Sequence, residues 1–280
     1  LSVFASRPPV RVAAVQMVSS SSRDENLGVM RHWVGEAAKA GASLVLLPEY
    51  FCLMGRRDQD KVLIAEPFSS ESSRGPIQAA LAETARQHGV WLIGGTVPIQ
   101  SPDPARVFNA MLVFGPDGQC KARYDKLHLF SFRTESESYD ETRSICPGAS
   151  PVTCQTVAGR TALSVCYDIR FPEFYRATDR SEPPDLILVS AAFTATTGEA
   201  HWETLLRARA IENQCWLLAS AQGGEHDNGR RTWGHSMLVD PWGRIVSERS
   251  TGEGLVMGNV DFGQMASLRL HLPALSHRVL

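Results

Sequence analysis

Three residues stand at the ends of β-like runs, where a folded chain commonly presents side chains that do chemistry. Cys166 closes Thr161-Ala-Leu-Ser-Val165. It is followed by Tyr167-Asp-Ile-Arg170 and then by Pro172, which suits the first turn of a helix. A side chain on such a strand-to-helix turn is held out of the packed interior, and a helix N-terminus nearby favours negative charge. That is a seat for a thiolate nucleophile. A lone cysteine at a strand end is also, by type, a small buried hydrophobe, so Cys166 counts as chemistry only with partners. Glu49 offers one, because it follows Pro48 directly at the end of Ser43-Leu-Val-Leu-Leu47. Binding and catalytic groups of α/β sheets gather at such edges. Lys126 is one of only four lysines (with Lys39, Lys61 and Lys121) among 28 basic residues, and it lies just beyond another β-like run. Singly, Glu49 could equally cap a helix or face solvent, and Lys126 could be an exposed hairpin residue.

The elements that must position these residues are legible from pattern. Residues 10–17 and 43–47 predict strands around a helix over 23–40, in which Leu27, Met30, Val34, Ala37 and Ala38 recur at helical spacing before Gly41. A second helix over 76–88 starts on Pro76 and stops at Gly89, and 90–97 is a third strand. This succession is a layered α/β signature. Residues 107–114 and 120–124 flank Gly115-Pro-Asp-Gly118 as a hairpin, and 232–239 and 244–246 flank Asp240-Pro-Trp-Gly243 as another. The acidic stretch 132–146 reads as a loop whose length suggests function, and 69–73 as a serine-rich surface loop. After the Cys166 turn come a helix over 173–178 and a strand over 185–190. A long helix over 199–214, capped by Thr197 or Gly198, follows, then strands over 215–219 and 254–260 and a helix over 262–270. The halves echo each other, each ending in a hairpin that turns on Pro-x-Gly. That predicts a pseudo-symmetric two-sheet sandwich with helices outside, not a barrel. With no linker between the halves, residues 10–280 are expected to form one domain behind a tail over 1–9.

Composition narrows the function classes. A chain of 280 residues with 43% hydrophobic content can bury a substantial core. Lys+Arg 28 against Asp+Glu 30 gives no electrostatic footprint for nucleic acid and no polybasic membrane segment. The six cysteines form no CxxC pair and the eight histidines no HExxH, so neither metal nor cofactor is expected. Residues 1–9 lack the apolar core of a signal peptide and no run is long enough to span a membrane, so a cytoplasmic enzyme is the expectation.

Leu46-Leu-Pro-Glu49, Tyr124-Asp-Lys-Leu-His-Leu-Phe130 and Val165-Cys-Tyr-Asp-Ile-Arg-Phe-Pro-Glu173, in that order, resemble the three blocks of the nitrilase (carbon–nitrogen hydrolase) superfamily. The stretches starting at Thr197, Leu206, Gly234 and His271 extend the likeness from about residue 10 to the C-terminus. They are similar to the Nit branch, above all to deaminated-glutathione amidases. The resemblance implies an α/β fold, a four-layer αββα sandwich of two mixed sheets with helices outside. It implies that Cys166 attacks an amide carbonyl to form a thioester, and that Glu49 is general base for the thiol and then for water. Lys126 and the backbone N–H of Tyr167 would stabilise the oxyanion; losing one such donor typically lowers turnover ~10²–10³-fold. A carboxylate near ~4.3 and a thiol near ~8.5 make poor partners unless the site draws the two values together, with Lys126 pulling the thiol down. The family's second glutamate precedes a Pro-Gly, and Glu141, ahead of Pro147-Gly148, fits better than Glu137. It would orient Lys126 and the substrate amide; a solvated loop acid is the plainer alternative.

Arg170 could bind a substrate carboxylate or pair with Glu173. His128 and His235 are expected to be structural hydrogen-bonders, and Arg207 and Arg209 to pair with helix acids or support the Cys166 turn. The implied activity is hydrolysis of a non-peptide amide bond in a small carboxylate-bearing substrate, deaminated glutathione first, with water as the other reactant. An ω-amidase acting on 2-oxoglutaramate, a true nitrilase and a silent scaffold are the alternatives. Specificity is expected in the loops 55–66, 132–146 and 223–231. The family also implies a homodimer or higher homo-oligomer, paired beside the nucleophile helix and the C-terminus.

Overall fold

Strands such as Leu44–Leu46 and Leu186–Ala191 are apolar on consecutive residues and buried throughout, the pattern of sheets covered on both faces. The computed structural model describes residues 7–69, 75–135, 138–177 and 182–279. It contains two such sheets. Across the first run Gly254–Val260, Val10–Gln16, Leu44–Leu46, Trp91–Gln100, Val107–Phe114 and Cys120–Asp125, with the short Ile145–Cys146 parallel to Val107 and Phe108. Across the second run Val152–Thr156, Gly159–Val165, Leu186–Ala191, Trp216–Ala221, Ser236–Val239 and Ile245–Arg249. In each, the second to fourth strands are parallel and their outer neighbours antiparallel. The echo in the sequence is thus an echo in topology.

Side chains alternate between two cores. Val12, Ala14, Leu44 and Leu46 point between the sheets, together with residues of the second sheet. Ala13, Val15, Val45 and Leu47 point outward under the helices Arg23–Lys39 and Pro76–His88. The helix Ala195–Asn213 covers the second sheet through Trp202, Leu206 and Ala210. The result is the expected four-layer αββα sandwich. Ser190 Oγ donates to Leu47 O at 2.7 Å, tying the two sheets together near Glu49.

Most differences from the sequence pattern have local causes. The long helix begins at Ala195 after Thr194, not at Thr197 or Gly198. Gly198 is glycine because a Cβ there would lie 2.3 Å from the Trp233 ring, so close packing, not capping, explains it. The strand expected over 232–239 is only Ser236–Val239, because Gly234 and His235 take left-handed φ of 75° and 54°. The acidic stretch 132–146 is not a bare loop. Ser131–Arg133 pairs antiparallel with Ser138–Asp140, and a 3₁₀ turn over Glu141–Arg143 leads into Ile145–Cys146. Val152–Thr156, polar on alternate residues, escapes the apolar-run pattern. Residues 1–6 of the expected tail, 70–73 of the serine-rich loop, Glu137 and Thr178 lie outside the described residues. Among the described residues no helix is long and apolar enough to cross a membrane.

Candidate active site

Cys166 opens a 3₁₀ turn, Cys166–Arg170, between its strand and the short helix Pro172–Arg176. Its φ of 47° lies in the left-handed region, a strained position for a residue with a side chain. Asp168, fully buried, supports the turn. One carboxylate oxygen accepts from Val165 N (2.8 Å) and Tyr124 OH (2.6 Å); the other accepts from His128 N at 3.2 Å and lies 2.8 Å from His128 Nδ1. The same carboxylate therefore fixes the Cys166 turn and the segment that carries Lys126. From the other side Arg209 Nε donates to Ile169 O at 2.9 Å.

Glu49 is 1% exposed and its carboxylate is fully engaged. Oε1 accepts from Lys126 Nζ and Asn109 Nδ2, both at 2.9 Å, and Oε2 accepts from Ala192 N at 2.9 Å. Lys126 is completely buried and also donates to Glu141 Oε1 at 2.8 Å. Glu141 accepts further from Tyr50 OH (2.9 Å) and Phe130 N (2.7 Å), so it is an anchored group and not a solvated loop acid. Glu141 Oε2 also lies 2.8 Å from Nζ, so three carboxylate oxygens of the two glutamates surround the ammonium. A cleft of about 280 Å³, counting its open mouth, has Cys166, Glu49, Glu141, Tyr167, Phe193 and Arg230 in its wall.

Charge balance sets the protonation states. Burial opposes the charge on Lys126, but Glu141 and Glu49 outweigh it and hold the ammonium pKa above the ordinary lysine value. Burial likewise opposes ionised Glu141, and Lys126 with the Phe130 N–H overcomes it, leaving that carboxyl below its ordinary value. For Cys166 the balance runs the other way. Burial and then Glu49 push the thiol well above the cysteine range, and the pull of Lys126 is smaller. Two carboxylates surround one ammonium, and a thiolate would add a third negative charge. Lys126 pulls the thiol down as expected, but burial and Glu49 outweigh it, and the net shift is upward.

The structure brings together Glu49, Lys126, Glu141, Cys166 and Tyr167. It leaves Arg170 behind the cleft wall, with its guanidinium 5.2 Å from the Phe193 ring, 5.8 Å from the Tyr167 ring and Nη1 3.3 Å from His201 Nδ1. Among the described residues Arg170 has no ion pair with Glu173 or with another acid, the alternative the sequence left open; its polar contact is His201. His128 stacks on Phe171 with centroids 3.8 Å apart, and His235 pairs with Glu248; neither lines the cleft. Arg207 pairs with Glu203, and Arg209 with Glu212, as expected. Sequence reasoning misses Asn109, Tyr50 and Arg230. Asn109 left a signal, as the polar interruption of an apolar strand, and Tyr50 did so only by following Glu49. Among the described residues no three His, Cys, Asp or Glu side chains gather as metal ligands would, and none of the six cysteines is in a disulfide.

Comparison with known proteins bears on the family and the fold. Residues 11–270 match the family described as carbon-nitrogen hydrolase. A deaminated glutathione amidase of Yersinia enterocolitica is 36% identical over 95% of this chain and 92% of its own length. One of Homo sapiens is 36% identical over 95% of this chain and 81% of its own. The solved structure of Saccharomyces cerevisiae Nit3, a member of branch 10 of the nitrilase superfamily, is similar with a TM-score of 0.86 at 28% identity, covering 97% of both chains. A sandwich of this topology, a buried Glu–Lys–Glu cluster beside a strained cysteine, and a family match over nearly the whole length converge on one assignment: the chain belongs to the carbon-nitrogen hydrolase family and is an enzyme that hydrolyses carbon–nitrogen bonds.

Proposed function

We propose that this enzyme hydrolyses the amide bond of a small carboxylate-bearing substrate, deaminated glutathione first, with Cys166 as nucleophile. The observation that carries the reading is the buried Lys126 ammonium held between Glu49 and Glu141 beside the thiol. The names of the relatives support the choice of substrate. Glu49 takes the thiol proton as sulfur attacks the carbonyl carbon, so no free thiolate is needed at rest. The Lys126 ammonium and the backbone N–H of Tyr167 receive the developing oxyanion. Collapse breaks the C–N bond, Glu49 returns the proton to the departing nitrogen, and an acyl thioester remains on Cys166. Glu49 then deprotonates water, which attacks the thioester and releases the acid and the thiol. Glu141 does not react; it holds Lys126 in place and keeps it charged.

Residues 10–280 are taken as one domain, supported by the pairing of the last strand, Gly254–Val260, with the first, Val10–Gln16. The enzyme is further proposed to be a cytoplasmic homodimer that needs no cofactor, and the exposed apolar side chains near its C-terminus support the pairing. The test is release of cysteinylglycine from deaminated glutathione, set against release of ammonia from 2-oxoglutaramate. The first should be the faster, and Cys166→Ala should lower it by ~10³-fold or more with the fold retained. Faster ammonia release would instead make the protein an ω-amidase. Full activity in Cys166→Ala would remove the mechanism, and a folded wild type that cleaves no amide would leave the scaffold reading.

A further inference from the structure

We propose that a second cavity, adjoining the cleft over Cys166, is the subsite for the leaving amine and binds its carboxylate through Lys61 and Arg230. The inference rests on the amidase reading and extends it to the side of the scissile bond that departs. The cavity holds about 830 Å³, counting its open mouth, and Arg230 stands in the wall of both spaces. Its wall carries Arg56, Arg57, Lys61 and Arg230 against a single carboxylate, Asp58, with Tyr50 and Tyr139 as its aromatic surface.

The four cations are not alike. Arg56 and Arg57 are 70% and 79% exposed at the rim and already face acids, Asp227 at 3.9 Å and Asp60 at 3.3 Å. Lys61 and Arg230 lie deeper, and among the described residues neither has a carboxylate within ion-pair distance. Lys61 Nζ lies 3.3 Å from Ser144 Oγ and 5.2 Å above the Tyr50 ring. Arg230 Nη2 donates to Ala192 O at 2.8 Å, its guanidinium carbon lies 5.5 Å over the Tyr139 ring, and its Nε is buried with no partner. Glu141 and Asp58 act on Lys61 only from beyond ion-pair distance; half-buried cations with no paired carboxylate are costly to keep, and an anionic ligand is what would complete them.

Position assigns the side of the bond. In the proposed reaction the acyl group stays on Cys166, in the cleft that Tyr167 and Phe193 line, while the departing nitrogen takes its proton from Glu49. Tyr50, in the wall of the second cavity, donates its hydroxyl to Glu141 at 2.9 Å, and Arg230 lines both spaces, so this cavity lies on the side of the glutamates and is assigned to what the nitrogen carries. The ligand class is an amine with a carboxylate a few bonds from its nitrogen, such as an amino acid or a short peptide with a free C-terminus.

Calorimetric titration with cysteinylglycine and with its C-terminal amide tests this on the intact protein. The wild type should bind the acid at least tenfold more tightly than the amide, and Lys61→Gln should abolish that difference; Arg230→Gln, where it folds, should do the same. Equal or absent binding of the two by the wild type, or a preference that survives Lys61→Gln, overturns the subsite. Hydrolysis of deaminated glutathione is followed in the same preparations to separate the two ideas. Carboxylate-selective binding without turnover sinks the substrate reading alone, and turnover without selectivity sinks the subsite alone.

Discussion

At the scale of single residues, the unusual property of the site is a nucleophile whose ionisation is opposed by the carboxylate beside it. After burial, Glu49 is the largest influence raising the Cys166 thiol, and Lys126 opposes it. The two effects of Glu49 in the proposed reaction therefore have opposite signs: it takes the thiol proton during attack, and its charge discourages ionisation beforehand. Glu49→Gln separates them. Removing the negative charge should lower the thiol pKa, because Lys126 then acts on the sulfur with one carboxylate fewer beside it. Thiolate absorbance in the ultraviolet, titrated against a Glu49→Gln/Cys166→Ser control, should appear at lower pH than in the wild type, while turnover collapses. A titration moved to higher pH would mean that Glu49 does not govern the thiol. Glu49 and Cys166 are legible in the sequence because each follows an apolar run, where an ionisable group is out of place unless it works; Lys126 follows a mixed strand and is legible by its rarity and its block of neighbours. The protonation state of Cys166 is not, since it depends on how many carboxylates the fold gathers around one ammonium. Asn109, Tyr50 and Arg230 are hidden because residues far apart in the chain give them their partners.

At the scale of elements, the candidate groups are aimed by close backbone contacts. Gly148 N donates to Lys126 O at 2.9 Å, and a Cβ on Gly148 would lie 2.1 Å from Asp125 O. A Cβ on Gly95 would lie 2.1 Å from Leu47 O, two residues before Glu49. Backbone cannot yield as a flexible side chain can, so Gly148→Ala should destabilise the fold by about 1–3 kcal/mol. It should lower kcat more than stability alone explains, since displacing a catalytic group by about 1 Å can cost roughly 10²-fold in rate. Gly28→Ala is the control. It lies in the helix Arg23–Lys39 with open space around its Cβ, and should stabilise by about 0.5–1 kcal/mol with kcat unchanged. Thermal unfolding and kcat measured on both variants decide this, and a Gly148→Ala enzyme with wild-type kcat would contradict it. Elements bounded by their own residues are legible in sequence to the last residue. Pro76–His88 lies between proline and a left-handed Gly89, and Gly254–Val260 matches its apolar pattern. Where tertiary contacts decide, as at Gly198 against Trp233 or in the paired strands around residues 131–140, local pattern has nothing to report.

At the scale of the whole molecule, the internal repeat places equivalent chain ends face to face. Glu49 follows Leu44–Leu46 and Ala192 follows Leu186–Ala191, the corresponding strand of the other sheet, and Ala192 N donates to Glu49 Oε2 at 2.9 Å. The two Pro-x-Gly turns reveal the repeat in the sequence, but this contact across the sheets exists only once the sandwich closes. The repeat leaves one region unbalanced, where the helix Ala195–Asn213 ends against the C-terminal segment. There Ile211 is 49% exposed, Trp242 59%, Leu270 58% and Leu272 50%. They share one region: a Cβ on Gly243, next to Trp242, would lie 2.5 Å from Ile211, and Gln214 Nε2, at the end of the same helix, donates to Leu272 O at 2.6 Å. Exposed apolar side chains gathered in one region are the material of an interaction site. In the proposed homodimer the same patch on two copies meets about a two-fold axis, so one substitution strikes the interface twice. Ile211→Asp would bury two carboxylates without partners there and should convert a dimer into a monomer. Light scattering after size-exclusion chromatography should give twice the chain mass for the wild type and the single mass for Ile211→Asp, with the unfolding of each monomer little changed. A wild type that elutes as a monomer, or an Ile211→Asp protein that remains dimeric, removes this surface as the pairing face.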